Sequence, residues 1–360
     1  VSAPRVLVCG KLPEKGRAAL EAEGIEVDHR PDQAAGSLAG VIGPFAGVVI
    51  NSPHQVDAAT IQAGLNLRVV GRAGVGVDNV DVEAASAAGV LVMNMPSGNT
   101  ISAAEHTIAM MMALARNIGP ASAALRSGTW ERARYQGVEV DGKTLAIIGL
   151  GRIGLEVARR AQGMGMHTIG SDPIIAAEAA AAAGVELMSV DELLPGADFL
   201  TVHVPLIPPT RHLLDADTIG RMKPGARLLN CARGGIVDEG ALLAALESGH
   251  LAGAACDVFE AEPTDNAALL AHPAFLGTPH LGASTTEARE RVGEGIARQV
   301  AEYLAKGVVT AGINRRRDRG VERRLTGWRG PVRRRRFPPL EWRSRTALRL
   351  VCPPPYPVIA

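Results

Sequence analysis

The sequence predicts an α/β protein whose parallel sheets are covered by helices, and three observations carry that prediction. Short, almost wholly apolar runs rich in Val, Ile and Leu recur along the chain and alternate with Ala-rich helical stretches. Strands buried on both faces read this way, and steady alternation implies right-handed βαβ units. One such run leads through a glycine-rich turn into a helix near the middle of the chain. The length, 360 residues with 47% apolar and 21% charged, allows two domains of roughly 100–200 residues each. It excludes a disordered chain, a collagen and a disulfide-stapled miniprotein.

The first run, Arg5–Cys9, reads as a strand; it is too short for the apolar centre of a signal peptide, so export is not expected. Further strands are predicted at Gly47–Ile50, 68–71 and 90–93, and a second series at 144–149, 167–172, 199–204, 227–232 and 253–258. Helical stretches are predicted at 14–23, 156–162 and 175–183. Two helices are expected to open with capping boxes. Ser102-x-x-Glu105 precedes one that runs through Arg116, and Ser284-x-x-Glu287 precedes one carrying Val292, Ile296, Val300 and Leu304. The run Met110-Met-Met112 suits adaptable core or subunit packing. Aromatics are only 3%, so the core is expected to be Val, Ile, Leu and Ala. No apolar run reaches the roughly 18–20 residues that cross a bilayer, so no membrane span is expected.

The net charge of +1 hides two opposite regions. Fourteen arginines and three acids lie from Arg315 onward, a local charge of +11, which leaves residues 1–314 with twenty-four bases against thirty-four acids. An acidic body repels nucleic acid, so no nucleic-acid partner is expected there. Residues 315–360, with Arg333-Arg-Arg-Arg336 and Pro353-Pro-Pro355, have no sustained apolar period and read as a disordered basic tail. Such a tail suits an arm for nucleic acid or anionic lipid, or an unselected extension such as an out-of-frame reading of a GC-rich gene. Its exclusive use of Arg favours the second. The cysteines, Cys9, Cys231, Cys256 and Cys352, show no metal-ligand spacing and read as reduced thiols of a cytoplasmic protein, with no metal site.

Gly149-Leu-Gly151-Arg-Ile-Gly154 is weak evidence alone, but it follows a predicted strand, precedes a helix, and the next strand ends at Asp172. That context is the dinucleotide fingerprint. The glycines let the backbone approach a pyrophosphate, whose charge faces the helix N-terminus. Asp172 would accept hydrogen bonds from the adenosine ribose hydroxyls. It would also repel a 2′-phosphate, and Pro173-Ile-Ile supplies no arginine, so NAD is expected over NADP.

Three further groups stand where predicted strands end, at the edge where open parallel sheets bind ligands. They are Arg233 in a glycine-rich turn, Glu262 before Pro263, and His280 in Thr278-Pro-His-Leu-Gly. One guanidinium, one carboxylate and one imidazole suit hydride transfer on a 2-oxo or 2-hydroxy acid. Arg233 would hold the carboxylate, His280 would move the proton, and Glu262 would orient the imidazole and favour its charged form. Of the other histidines, His29, His54, His167, His212, His250 and His272 show no evident partner. His106 stands beside Glu105 in a helix, where adjacent residues diverge, and His203 is expected to line the cofactor crevice.

Four segments resemble the D-isomer-specific 2-hydroxyacid dehydrogenase family: Gly71-Arg-Ala-Gly-Val-Gly-Val-Asp-Asn-Val-Asp81, the glycine loop, Asn230-Cys-Ala-Arg-Gly-Gly-Ile-Val-Asp-Glu239, and Pro279-His-Leu-Gly-Ala-Ser-Thr285. The resemblance implies a Rossmann cofactor domain, 98–281, inserted into a flavodoxin-like substrate domain, 1–97 and 282–314. It implies Arg233, Glu262 and His280 as the catalytic groups. For the cofactor, NAD, it implies contacts at Val75, Gly149, Gly151, Arg152, Ile153, Gly154, Asp172, His203, Val204, Cys231, Asp257, Gly282 and Ala283. For the substrate it implies Asn51, Arg72, Gly74, Val75, Asn99 and Arg134, and it implies a homodimer or homotetramer paired through the helix after Ser102.

Within the family, the resemblance points to NAD-dependent oxidation of D-3-phosphoglycerate to 3-phosphohydroxypyruvate, the first step of serine biosynthesis. Members with that activity usually carry an arginine for the substrate phosphate where this chain has Asn51, leaving Arg72 and Arg134 as candidate anchors and His54 as the only nearby group that could charge. One charge-assisted hydrogen bond is worth about 1.5–3 kcal/mol, so the substitution bears directly on specificity. Nothing after Asn314 resembles a serine-binding regulatory domain, and serine feedback is expected to be absent. Two alternatives remain open: a hydroxypyruvate, glyoxylate or other D-2-hydroxyacid dehydrogenase, and an NAD-sensing binding protein like the dehydrogenase-related corepressors.

Overall fold

The computed structural model describes residues 3–314; the basic tail and Cys352 lie outside the described residues. Two parallel sheets organise the chain. The first contains β1 (Arg5–Cys9), β2 (Glu26–Arg30), β3 (Gly47–Ile50), β4 (Val69–Arg72) and β5 (Leu91–Met93) in the order β2-β1-β3-β4-β5. Register is continuous across its centre, with Val48 opposite both Leu7 and Val70. Successive side chains point to opposite faces. Val6, Val8, Val49 and Val69 therefore pack on Ile296, Val300 and Leu304 of the helix Thr286–Lys306, while Leu7, Val48, Ile50 and Val70 pack on Phe45 and Ile61. The chain thus returns to the first sheet after completing the second. It then seals the β5 edge, where the Asn314 amide accepts from Val92 N at 2.9 Å and donates to the Val90 carbonyl at 2.8 Å.

The second sheet contains β6 (Thr144–Ile148), β7 (His167–Ser171), β8 (Glu186–Leu187), β9 (Phe199–Val202), β10 (Arg227–Asn230), β11 (Gly253–Cys256) and β12 (Phe275–Gly277). Its order, β8-β7-β6-β9-β10-β11-β12, reverses direction at β6. All its pairs are parallel. The helix Thr100–Ala115 lays Ala104, Met111 and Leu114 against Leu145, Ile147, Leu229 and Ala255 of this sheet. The strand orders are those of the flavodoxin-like and Rossmann sheets, so the fold class read from the sequence holds. In open parallel sheets, ligands bind beyond the strand ends at such reversals.

The local differences are instructive. β2 gives no apolar signal because Glu-Val-Asp-His-Arg is an edge strand with no buried residue. The first predicted capping box is displaced. The helix begins at Thr100, so Ser102 lies inside it, buried, with its hydroxyl 2.7 Å from that of Thr285. The second is shifted by one residue: Thr285, in extended backbone, caps Ala288 N at 3.1 Å, while Ser284 closes a turn onto Leu281 O. The helix after the glycine loop starts at Arg152, before the predicted 156, because Gly154 serves a close approach there and does not break the helix. Several strands are one or two residues shorter than the sequence predicts. The apolar runs continue past Ile148, Val202, Asn230 and Cys256 into the loops that carry the candidate site.

Candidate active site

β6 ends in the glycine loop at the point where the strand order reverses. Gly149 has φ +96°, and a Cβ there would lie 2.6 Å from the His203 carbonyl. A Cβ on Gly154 would overlap the Gly149 carbonyl, so only glycine lets the helix begin this near the strand. Gly151 faces open space, and the helix Arg152–Gln162 starts from it with no side-chain cap. Its first N–H groups, with Ile153 among them, are therefore free for an anion. Asp172, just past β7, clamps the loop: one carboxylate oxygen accepts from Leu150 N at 2.8 Å, the other from Ile174 N and Ile175 N at 2.8 and 3.1 Å. His203 and Val204 follow β9 against this loop. His203 pairs through Nε2 with the Thr201 hydroxyl at 3.1 Å, while its buried Nδ1 has no partner among the described residues. Burial pushes its pKa down to about 4, so the ring is neutral at physiological pH.

The loops after β10, β11 and β12 are stitched together by backbone bonds from Asp257 N to Asn230 O and from His280 N to Asp257 O, each 2.9 Å. His280 adopts φ +54°, an unusual left-handed conformation for a residue with a side chain. Its Nδ1 lies 2.8 Å from Glu262 Oε2, while the other oxygen of Glu262 accepts from Phe259 N at 3.2 Å. Asp257 is buried and accepts from Thr278 Oγ1, Leu281 N and Gly282 N at 2.6–2.7 Å, with Ala283 next along the same loop. Burial opposes its charge, but these donors and His106 outweigh burial and hold the carboxyl below its ordinary range. Cys231 packs its thiol on Met110 Sδ at 3.6 Å, and burial pushes its pKa up to about 12.

Arg233 leaves this cluster toward the first sheet. Its Nε lies 3.4 Å from Asp78 Oδ2, and its guanidinium sits against Gly76. Arg72, at the end of β4, folds over Gly74; its Nη2 donates to the Ser52 hydroxyl at 3.1 Å, and its buried Nε has no partner among the described residues. Burial, and then the like charge of Arg233, push the Arg72 pKa down, opposed by Asp78. Val75 is held through its carbonyl by Asn94 Nδ2 at 2.5 Å. Asn51 turns its amide onto the Cys9 and Lys11 carbonyls at 3.4 and 3.5 Å. His54 is buried with Nε2 on the Gln33 carbonyl, so its ring faces inward and not the substrate side. Asn99 precedes the helix Thr100–Ala115 without capping it, its buried Oδ1 unpaired. Arg134 is not brought to the cluster: it is exposed, 3.3 Å from Glu131, in the turn Arg132–Tyr135.

Residues 108–282 match the family profile described as D-isomer specific 2-hydroxyacid dehydrogenase, NAD binding domain. The crystal structure of the TT0316 protein from Thermus thermophilus is 33% identical with a TM-score of 0.75, over 86% of this chain and 99% of that one. The chain belongs to the D-isomer-specific 2-hydroxyacid dehydrogenases. A glyoxylate reductase from Paecilomyes thermophila superposes with a TM-score of 0.78 at 29% identity, over 87% of this chain and 99% of that one. The human D-3-phosphoglycerate dehydrogenase is 49% identical over 310 residues, 86% of this chain but 58% of the relative, so the chain spans little more than half of that protein's length.

The glycine loop of this chain fits NAD on its own geometry: an uncapped helix start, open space over Gly151, and a carboxylate at the end of β7. Sequence reasoning missed His106 and Thr278, which pair with each other at 3.1 Å beside Asp257, and also Ser52 and Asp78, the partners of the two arginines. The available signal was the spacing of Ser102, His106 and Met110, one stripe of a helix. Among the described residues no three His, Cys, Asp or Glu side chains converge to hold a metal. No single described helix is long and apolar enough to cross a membrane.

Proposed function

We propose that the chain oxidises D-3-phosphoglycerate to 3-phosphohydroxypyruvate with NAD. The observation that carries this reading is the Glu262–His280 pair at 2.8 Å, on the loops after β11 and β12, next in the sheet to β10, which leads to Arg233. The Glu262 carboxylate can only accept, so Nδ1 of His280 carries the proton between them and Nε2 is left for the substrate. Nε2 takes the proton of the C2 hydroxyl in oxidation and returns it to the carbonyl in reduction. Arg233 holds the substrate carboxylate with its forked donors. NAD, when bound, supplies the acceptor for the hydride of C2. Gly149, Gly151, Arg152, Ile153 and Gly154 would hold its pyrophosphate, and Asp172 its ribose.

Arg72, with its unpaired Nε, serves as the phosphate anchor in place of the arginine that Asn51 displaces. The dinucleotide domain comprises 98–281 and the substrate domain 1–97 with 282–314. Pairing into a homodimer or homotetramer is supported by Ile118, Leu125 and Trp130, exposed on and after the helix Ile118–Arg126, which buries no residue. Arg134 would then reach a neighbouring subunit's substrate. A cytoplasmic location agrees with the reduced cysteines. Asn51 favours a second reading, reduction of unphosphorylated hydroxypyruvate or glyoxylate, which the likeness to a glyoxylate reductase also supports.

The test is NADH formation from NAD and D-3-phosphoglycerate, with the L enantiomer and NADP as controls. Reduction of NAD by the D enantiomer alone is expected. Turnover with neither enantiomer, or with both, would overturn the reading.

A further inference from the structure

His280 acts only if its loop is held, and the hydrogen bonds that hold it lead to a helix outside the catalytic cluster. Its left-handed backbone is fixed by a bond from His280 N to the Thr278 carbonyl and by three bonds to Asp257: His280 N donates to the Asp257 carbonyl, Leu281 N to Oδ1 and Gly282 N to Oδ2. That carboxylate is in turn met from the helix Thr100–Ala115 by His106, whose Nε2 lies 3.2 Å from Asp257 Oδ1 and 3.1 Å from Thr278 Oγ1.

The proton assignment follows from chemistry. The carboxylate has no proton to give. The single proton of Thr278 goes to the carboxylate at 2.6 Å, not to the Met110 sulfur at 3.5 Å. Nε2 of His106 must therefore carry the proton it shares with this pair. The same helix holds the far end of the loop through the Ser102 and Thr285 hydroxyls, 2.7 Å apart, and Ala103 backs Gly282 between them. Residues 102, 106 and 110 lie on one helix face, so one stripe supports the whole segment 278–285.

We propose that His106 is a positioning residue, which acts through Asp257 and Thr278 to hold the His280 loop in its reactive geometry. The inference rests on the dehydrogenase reading for its effect on rate, but not for its effect on the loop.

The test compares His106→Leu, which keeps bulk and removes the donor, with His106→Gln, whose amide can reach the same acceptors. Two readouts are used. Deuterium exchange of the 278–285 amides is followed in the cofactor-free protein, and kcat and KM for a 2-oxo acid are measured with NADH. The leucine variant is expected to lose amide protection and to lower kcat by about 10- to 100-fold, as a displaced catalytic group does. The glutamine variant is expected to restore both to within about threefold. Unchanged exchange in the leucine variant would overturn the proposal, as would equal loss in both variants. Unfolding of the leucine variant leaves the glutamine variant to decide: normal protection and turnover support the donor role, and loss of both contradicts it. If the wild type turns over no 2-oxo acid while exchange responds as expected, the reaction assignment fails and the positioning role stands.

Discussion

The two sides of the crevice differ in how completely their polar groups are paired. After β10, β11 and β12, Asp257 receives donors on both oxygens, Glu262 is bonded to His280 and Phe259 N, and Asn230 bonds across its own turn. After β4, Arg72 has a buried Nε without a partner and lies near a second guanidinium. The first side is organised before any substrate arrives, which is how a site avoids rearranging during reaction. The second is electrically incomplete: two buried or half-buried cations with Asp78 as their nearby acid favour an incoming anion. On the proposed reading, the chemistry of the reaction is built into one side, while the choice of acid rests on the other.

The largest expected effect is on the organised side. His280→Ala should lower kcat by about 10²–10⁴-fold while NADH affinity, read by fluorescence titration, stays nearly constant; unchanged turnover would remove His280 from the mechanism. On the incomplete side, Arg72→Gln should reduce kcat/KM for the phosphorylated acid by roughly 10- to 150-fold, the worth of one charge-assisted bond. Hydroxypyruvate should be little affected, and an equal loss on both substrates would mean that Arg72 supports structure instead.

A smaller effect concerns pH. His203 is held neutral with a pKa lowered to about 4 by burial, so between roughly pH 6.5 and 4 the unfolded chain binds the extra proton. Its contribution to stability is present above pH 6.5 and is lost as pH falls toward 4, by up to about 3 kcal/mol. Acid melts of the cofactor-free protein should show this slope, and His203→Gln should flatten it. The smallest expected change is Asn314→Ala, which removes the amide that seals β5 and should cost about 1 kcal/mol in chemical denaturation without altering kcat.

Much of the organised side was legible in the sequence, because its chemistry depends on residue types at strand ends and on glycines that backbone geometry demands. Gly149, Asp172, Arg233, Glu262 and His280 stand in loops at strand ends, and Gly154 in the first turn of the helix that follows the glycine loop. What failed was local or long-range. β2 lacks an apolar run because it lies at an edge, and Ser102 imitates a cap while pairing across to Thr285. The role of His106 depends on a partner 172 residues away in sequence; helical spacing sets His106 on one stripe with Ser102 and Met110 but does not name that partner. The incomplete side is harder still, since no spacing in the sequence says that the Arg72 Nε is left without a partner among the described residues.

The measurement that tests the account most directly is kcat/KM with NADH for 3-phosphohydroxypyruvate against unphosphorylated hydroxypyruvate. A preference of about tenfold or more for the phosphorylated acid is predicted, at least one charge-assisted contact. Equal rates, or a preference for hydroxypyruvate, would contradict the claim that Arg72 replaces the missing arginine, and would make Asn51 the mark of an enzyme for smaller acids.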